Sequence, residues 1–151
     1  MADAADPWLD KITQACAYLA TVDGHPALGT LARRFGGSLY HFQRTFKRMV
    51  GVTPREYAEA CRLGRVKRRL RETGAVTDAV FEAGYGSSGR FYERAAPKLG
   101  MPPSTYRHGG TGMEIRYTIV DSRLGRLLVG ATARGVCAVS MGASDAALER
   151  A

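Results

Sequence analysis

The chain has 151 residues, and its 22 lysines and arginines against 14 acidic residues give a formal net charge of +8. Hydrophobic residues make up 45% of it, enough for one modest domain and a little more. Because no apolar run approaches the length of a membrane span and no signal peptide precedes the first helical pattern, we expect a cytoplasmic protein with no membrane partner. The charge is local, with twelve basic residues between Arg33 and Arg71 opposed only by Glu56 and Glu59. Such a patch favours a polyanion partner.

The first predicted element is a helix that follows a frayed N-terminus, residues 1–7. Pro7 can begin a helix, and an apolar stripe follows it at helical spacing. The stripe consists of Trp8, Leu9, Ile12, Ala15, Cys16 and Leu19. Residues 23–26 then form a loop, in which His25 is a surface residue without an assigned role.

Two helices joined by a glycine turn come next, a pattern typical of a helix-turn-helix. Each helix has one apolar face, made of Leu28, Leu31, Ala32 and Phe35 in the first and of Leu39, Phe42, Phe46 and Val50 in the second. Gly36 and Gly37 can adopt the positive φ of a sharp turn, and Ser38 is placed to cap the second helix.

The second helix leaves long polar and cationic side chains outside. They are Tyr40, His41, Gln43, Arg44, Lys47 and Arg48. Arginine can pair with a guanine edge, glutamine with an adenine edge, and tyrosine can pack on a thymine methyl or reach a phosphate, so this surface suits a major-groove reader. Taken alone, it is also consistent with the solvated face of an ordinary helical bundle.

A long helix is predicted over residues 54–73, with Pro54 at its first position. Its apolar positions are Tyr57, Cys61, Leu63, Val66 and Leu70, and its polar side holds Arg62, Arg65, Lys67, Arg68, Arg69 and Arg71. We prefer a rigid spacer with DNA-backbone contacts to a merely solvated helix, because a fixed separation suits two reading helices on successive major-groove faces.

The motif repeats 49 positions further on. The shift carries Gly37 to Gly86, Ser38 to Ser87, Phe42 to Phe91, Gly51 to Gly100, Pro54 to Pro103 and Tyr57 to Tyr106. The second copy therefore has a first helix around Ala79, Val80 and Ala83 and a second helix over residues 88–96. We expect it to be the weaker reader, because Glu93 stands where Arg44 stands in the first copy and Pro97 tends to end a helix.

After a glycine-rich linker at 109–113 the period changes from helical to alternating. Three short strands in an antiparallel meander are predicted, with a last helix from Ser144 or Asp145. Such a sheet cannot bury both of its faces, so residues 114–151 are expected to begin an incomplete α+β domain whose folding in isolation stays open.

The double motif, its joining helix and the run GMPPSTYR resemble the DNA-binding domain of the AraC family of transcription regulators. The segments at 9–19, 91–110 and 116–142 resemble Ada-like proteins of the DNA alkylation response within that family. The resemblance implies a mainly α fold with two helix-turn-helix subdomains over 8–108, about 8–53 and 75–108, joined by the linker helix. It implies that 114–151 begin the N-terminal, ribonuclease-like domain of a methylated-DNA-protein-cysteine methyltransferase.

The resemblance also assigns DNA contacts. Bases are contacted by Tyr40, Gln43, Arg44, Ser88, Arg90 and Glu93, and phosphates by Ser38, Lys47, Arg48, Arg65, Arg68 and Arg94. Double-stranded DNA is the expected partner and RNA polymerase a further one, and such domains usually bind as monomers.

Two alternatives remain. One is an inactive fragment of the repair methyltransferase, since the family's Pro-Cys-His-Arg acceptor motif is missing from these residues. We expect no catalytic residue, metal or cofactor, because Cys16, Cys61 and Cys137 lie in apolar patterns without CxxC spacing. The other is a nonspecific basic nucleic-acid binder, which needs charge but not two capped helices.

Overall fold

The computed structural model describes residues 6–72 and 75–150, and within them it contains eight α-helices, one 3-10 turn and three strands. In chain order they are α1 Leu9–Thr21, α2 Leu28–Phe35, α3 Leu39–Val50, α4 Pro54–Glu72, α5 Val76–Glu82, α6 Ser88–Arg94, the 3-10 turn Ala96–Leu99, α7 Pro103–Arg107, β1 Arg116–Ser122, β2 Gly125–Thr132, β3 Gly135–Gly142 and α8 Asp145–Glu149. The predicted mainly α fold with a closing meander is confirmed. The predictions for residues 1–5, for Thr73 and for Ala151 lie outside the described residues. None of the described helices combines the length and apolarity that a membrane crossing requires.

The chain folds as two compact units, and their boundary lies within α4, between Arg65 and Val66. Unit 1 contains α1, α2, α3 and the first part of α4. Unit 2 contains the remainder of α4, the helices α5 to α8 and the sheet.

An aromatic core holds unit 1 together. Its buried residues are Ile12, Ala15, Leu19, Leu31, Ala32, Phe35, Phe42, Phe46 and Ala58. Phe42 is fully buried and its ring centroid lies 6.3 Å from that of Phe35 and 6.0 Å from that of Phe46. Aromatic pairs at such spacing add to the free energy gained by burying their area. The core therefore fixes α3 against α1 and α2 through the apolar stripe that the sequence predicts.

The start of α3 is set by the glycine turn and its serine. Gly36 and Gly37 have φ of 101° and 87°, and the Ser38 side chain accepts a hydrogen bond from the backbone N–H of His41 at 3.3 Å, so both predictions are confirmed. Leu39 was predicted on the apolar face but is 52% exposed, which corrects that assignment. It is the first residue of α3 and faces Gly29 of α2, which has no side chain to cover it.

Unit 2 repeats the serine cap and the buried phenylalanine of unit 1 in a shorter helix. Ser87 caps α6 by accepting from the backbone N–H of Arg90 at 3.3 Å, and Phe91 is fully buried as Phe42 is. The helix stops at Arg94 and a 3-10 turn containing Pro97 follows, which agrees with the expected effect of proline. The positive φ of the second turn falls on Gly84, at 83°, rather than on Gly86, so the two turns differ in backbone conformation.

The meander is antiparallel with strand order β1-β2-β3, as predicted, and Ser144 caps α8. Arg126 joins the sheet to α8, because its guanidinium pairs with Asp145 at 2.6 Å and with Asp121 of β1 at 2.7 Å. The sheet leaves apolar side chains in solvent, Val139 and Met141 being 61% and 60% exposed. The expectation that the sheet cannot bury both faces agrees with these exposures.

The turn after α7 is closely hydrogen-bonded. The Gly110 N–H donates to the Thr105 carbonyl at 2.9 Å, and Met113 N–H donates to the Gly110 carbonyl at 2.9 Å. Gly110 has a φ of 81° and is buried, and a Cβ there would stand 2.8 Å from the Cδ1 atom of Ile115. This part of the proposed 109–113 linker therefore packs inside unit 2.

Candidate nucleic-acid interface

The outer face of α3 carries most of the polar residues that sequence reasoning singled out. Tyr40 is 68% exposed, and Arg44 and Lys47 are exposed as well. Gln43 is half-buried, at the rim of a hollow that also involves Pro54 and Arg55 of α4. The face is cationic and rich in donors, which suits the acceptor-rich edges and phosphates of a nucleic acid.

Tyr40 and Arg44 contact each other one helical turn apart. The guanidinium carbon of Arg44 lies 5.5 Å from the centre of the Tyr40 ring, within the range of a cation–π interaction. This contact restricts both side chains while leaving them open to solvent. A restricted arginine loses less side-chain entropy when it pairs with a base edge.

The residues on and beside α3 that are predicted to touch phosphates differ in the partners that their side chains already have. Lys47 is exposed, whereas the Arg48 guanidinium lies 3.6 Å from the Asp6 carboxylate in a solvent-exposed ion pair. Ser38 is exposed, and its hydroxyl oxygen already accepts the cap hydrogen bond. Exposed ion pairs are weak, so the pairing with Asp6 leaves Arg48 available to a phosphate.

One arginine of the linker helix α4 is buried, although the sequence predicts it on the polar, solvated side. Arg62 is only 5% exposed, because its guanidinium donates to the Gly24 carbonyl and contacts His25 Nε2 at 3.1 Å. It ties the 23–26 loop to α4 within unit 1. The placement of Arg62 on the solvated face is therefore wrong, since a long cationic stem can cover apolar surface while its head binds carbonyls.

The other basic residues of α4 differ in their partners. Arg65 donates to the carbonyls of Ala20 and Val22, the latter at 3.4 Å, and so caps the C-terminal end of α1. Lys67 donates to the Cys137 carbonyl of β3 at 3.3 Å, and burial lowers the pKa of its ammonium group. Arg68 is exposed. Of the two predicted phosphate ligands on this helix, Arg68 is therefore the freer one.

The second reading helix presents a smaller and less basic surface. On α6, Arg90, Glu93 and Arg94 are exposed and Ser88 is half-buried. The helix has seven residues against twelve in α3. A short helix with one carboxylate among two arginines presents fewer hydrogen-bond donors than α3, and its weaker share in DNA reading stays a prediction.

The cysteines lie away from these faces. Cys137 is buried in β3, and Cys16 and Cys61 are partly buried in unit 1, where burial raises the pKa of the Cys16 thiol. Burial likewise raises the pKa of Tyr57, whose hydroxyl is near both thiols, to about 12. Within residues 6–72 and 75–150, no group of histidine, cysteine and acidic side chains is positioned to hold a metal ion.

Sequence reasoning missed the contacts of Trp8. Trp8 belongs to the predicted apolar stripe and packs against the core of unit 1, and its ring also lies beside the glycine turn and the first turn of α3. Its centroid is 4.9 Å from that of His41 and 6.5 Å from that of Phe42. Helical periodicity assigns a residue to a face of its own helix, but it does not specify which neighbouring element that face meets.

Comparison with known proteins decides the family. The family described as a helix-turn-helix domain matches residues 31–109, which is more than half of the chain. The chain belongs to the AraC-type helix-turn-helix family. The matched range runs from α2 to the turn after α7 and so includes both α3 and α6.

Two relatives of this AraC-type chain extend the match beyond the helix-turn-helix region. It is 37% identical over 147 residues to the bifunctional transcriptional activator/DNA repair enzyme Ada of Escherichia coli K12, a match that covers 97% of this chain and 41% of that protein. It is 36% identical over 140 residues to the regulatory protein Ada of Salmonella typhimurium LT2, with 93% and 39% coverage. The chain thus spans about two fifths of the length of these relatives.

A solved structure supports the AraC-type fold. The DNA-binding domain of AdpA, a global transcriptional factor crystallised with a target DNA, superposes with a TM-score of 0.57. The match covers 70% of this chain and 93% of that domain at 24% sequence identity. At that identity the likeness concerns the fold.

Proposed function

We propose that this chain is the DNA-binding part of an AraC- and Ada-type transcription regulator and that it binds double-stranded DNA sequence-specifically. The observation that carries the proposal is the exposed face of α3, on which Tyr40 and Arg44 stand on a helix fixed by the Ser38 cap. The names of the relatives support it, since Ada of Escherichia coli is called a transcriptional activator and the AdpA domain was crystallised with DNA.

In this proposal α3 enters the major groove. Tyr40, Gln43 and Arg44 contact base edges, while Lys47, Arg48 and the Ser38 hydroxyl contact phosphates. Arginine is the residue best suited to guanine O6 and N7, and the contact between Arg44 and Tyr40 helps to hold its guanidinium. Base contacts give sequence discrimination, and phosphate contacts give register and most of the salt dependence.

The second unit supplies a smaller share. Ser88, Arg90 and Glu93 of α6 contact bases, and Arg94 contacts a phosphate together with Arg65 and Arg68 of α4. The two reading helices occupy successive major grooves, so the target contains two half-sites about one helical turn apart. The DNA-binding domain comprises residues 8–108, and 109–113 connect it to a further domain.

The wider role follows from the Ada-like match at 116–142. We place the chain in the DNA alkylation response, with residues 114–151 as the beginning of the methyltransferase domain of a repair protein. It binds DNA as a monomer through its two units in the compartment that holds the DNA, and RNA polymerase is its proposed protein partner. The alternative of an inactive repair fragment shares this parent and differs in lacking specific DNA binding.

The first experiment is selection of bound duplexes from a random DNA library. Affinities for the enriched and the scrambled sites are then measured across a salt series. Two half-sites about one turn apart, with a specific affinity at least about 1,000 times the nonspecific one, would support the regulator. No enrichment, with affinity that only falls as salt rises, would favour the nonspecific basic binder.

Arg44→Ala tests the base contact directly. We expect the binding free energy for the selected site to weaken by about 1 to 3 kcal/mol, because a bidentate pair with a base is lost. The binding free energy for scrambled DNA should change much less. Fluorescence anisotropy with both duplexes at one fixed salt concentration measures the two changes.

The matched control for Arg44→Ala is Arg123→Ala, which removes an exposed arginine in the turn between β1 and β2. This variant should bind both duplexes almost as the parent does. If Arg44→Ala weakens the two duplexes equally, Arg44 contacts a phosphate and the proposed assignment of its base contact fails.

A further inference from the structure

The indole of Trp8 closes the glycine turn that leads into α3. A Cβ on Gly37 would stand 2.9 Å from Cη2 of Trp8 and 3.3 Å from Cδ2 of His41. Gly37 also has a φ of 87°, so both its conformation and the nearby rings require glycine. Trp8 and His41 thus meet over a residue that has no side chain.

His41 is held from two directions while it remains in solvent. Its backbone N–H donates to the Ser38 side chain at 3.3 Å, and its ring meets Trp8 at 63°, with 4.9 Å between ring centroids. The Lys11 ammonium group also lies 4.9 Å from the centre of the Trp8 ring. His41 is exposed, so a polar ring is fixed at the surface without being buried.

His41 begins a stripe of hydrogen-bond donors along α3. Together with Arg44, Arg48 and the buried Thr45 it lines a shallow hollow of about 270 Å³. The spacing of three and then four residues places the three exposed side chains on one side of the helix. The stripe offers ring N–H and guanidinium donors side by side, which is the chemistry that recognises a phosphate group.

We propose that the His41 ring donates a hydrogen bond to a phosphate of the bound DNA and that Trp8 is its positioning residue. The proposal rests on the proposed function, because it requires that α3 binds DNA. It gives Trp8, the residue that precedes α1, an indirect part in DNA binding, because Trp8 acts only through its contact with His41.

His41→Phe is the first test, because it keeps an aromatic ring against Trp8 and removes the donor. We expect affinity to fall about three- to tenfold, the usual effect of losing one hydrogen bond, and by the same factor on selected and on scrambled DNA. His41→Asn keeps a side-chain donor and should recover part of the loss. His108→Phe is the matched control, since His108 is an exposed histidine at the end of α7, and it should bind as the parent does.

A double-mutant cycle tests the positioning role. Trp8→Leu should weaken DNA binding in the parent but cost almost nothing more in the His41→Phe background, because its effect passes through His41. Trp8→Phe, which retains a ring, should rescue part of the affinity. All titrations are made well below the melting temperature of each variant, so that the comparison concerns folded protein.

The outcomes separate the two proposals. If the parent chain binds no DNA, the proposed function itself fails. If the parent binds and His41→Phe binds equally well, or loses affinity for the selected site only, the phosphate contact is overturned. Losses from Trp8→Leu and His41→Phe that multiply fully in the double variant would overturn the positioning role of Trp8 and leave it a structural residue.

Discussion

Phe42→Ala is expected to lower the free energy of unfolding of unit 1 by about 3 to 5 kcal/mol, the usual cost of removing a buried phenylalanine ring. Phe42 is fully buried, and its ring lies between those of Phe35, Phe46 and Trp8 at centroid distances of 6.3, 6.0 and 6.5 Å. Removing it opens a cavity beneath α3 and also ends three aromatic contacts. Because α3 carries the proposed reading face, DNA affinity should fall as well.

Urea unfolding followed by tryptophan emission measures the effect of Phe42→Ala. Trp8 is the single tryptophan of the chain and lies in unit 1, so its emission reports on that unit. Phe81→Ala is the matched control, because Phe81 is 52% exposed on α5 of unit 2 and should leave the transition of unit 1 unchanged. A loss below about 1 kcal/mol for Phe42→Ala would mean that the core collapses around the missing ring.

Gly100→Ala is expected to destabilise unit 2 by about 3 kcal/mol, from the left-handed conformation and from a clash. Gly100 has a φ of 70°, and a Cβ there would stand 2.6 Å from the Gly135 carbonyl oxygen at the start of β3. The Thr132 hydroxyl donates to the Gly100 carbonyl at the same junction. The obstructing atoms are backbone, which cannot move aside as a flexible side chain would.

Gly109→Ala separates the two causes. Gly109 has nearly the same φ, 67°, but a Cβ there would meet no atom within 4 Å. Gly109→Ala should therefore lower the free energy of unfolding only by the cost of the left-handed conformation, about 1 to 2 kcal/mol. Thermal unfolding by circular dichroism and amide exchange in β2 and β3 measure both variants. If Gly100→Ala and Gly109→Ala lose the same free energy of unfolding, the backbone at the junction between the 3-10 turn and the sheet moves aside and the clash contributes nothing.

Local patterns predicted the elements of this fold well, because each depends on residues close in sequence. The apolar spacing of α3, the Ser38 cap and the effect of Pro97 on α6 are all short-range. The alternating pattern after residue 114 likewise predicted the meander and its antiparallel order. Hairpins with short turns leave the chain few other ways to pair its strands.

The failures concern partners that are distant in sequence. Arg62 lies at a polar position of its helix, but the Gly24 carbonyl lies within reach only after α1 and α4 have packed. Leu39 is apolar and exposed because the facing residue is Gly29, which periodicity within α3 cannot reveal. The contact of Trp8 with His41 likewise joins residues that are distant in sequence, one before α1 and one in α3. The assigned DNA contacts remain predictions, since each depends on a partner molecule.

The open side of the sheet affects how the protein behaves in concentrated solution. Val120 of β1 and Met141 of β3 flank Leu127 in register, and Val139 lies two residues from Met141 on the same face. Val120, Val139 and Met141 are 44%, 61% and 60% exposed. A contiguous exposed apolar face favours aggregation. Sigmoidal DNA titrations at high protein concentration should therefore be checked by light scattering before they are attributed to cooperative binding.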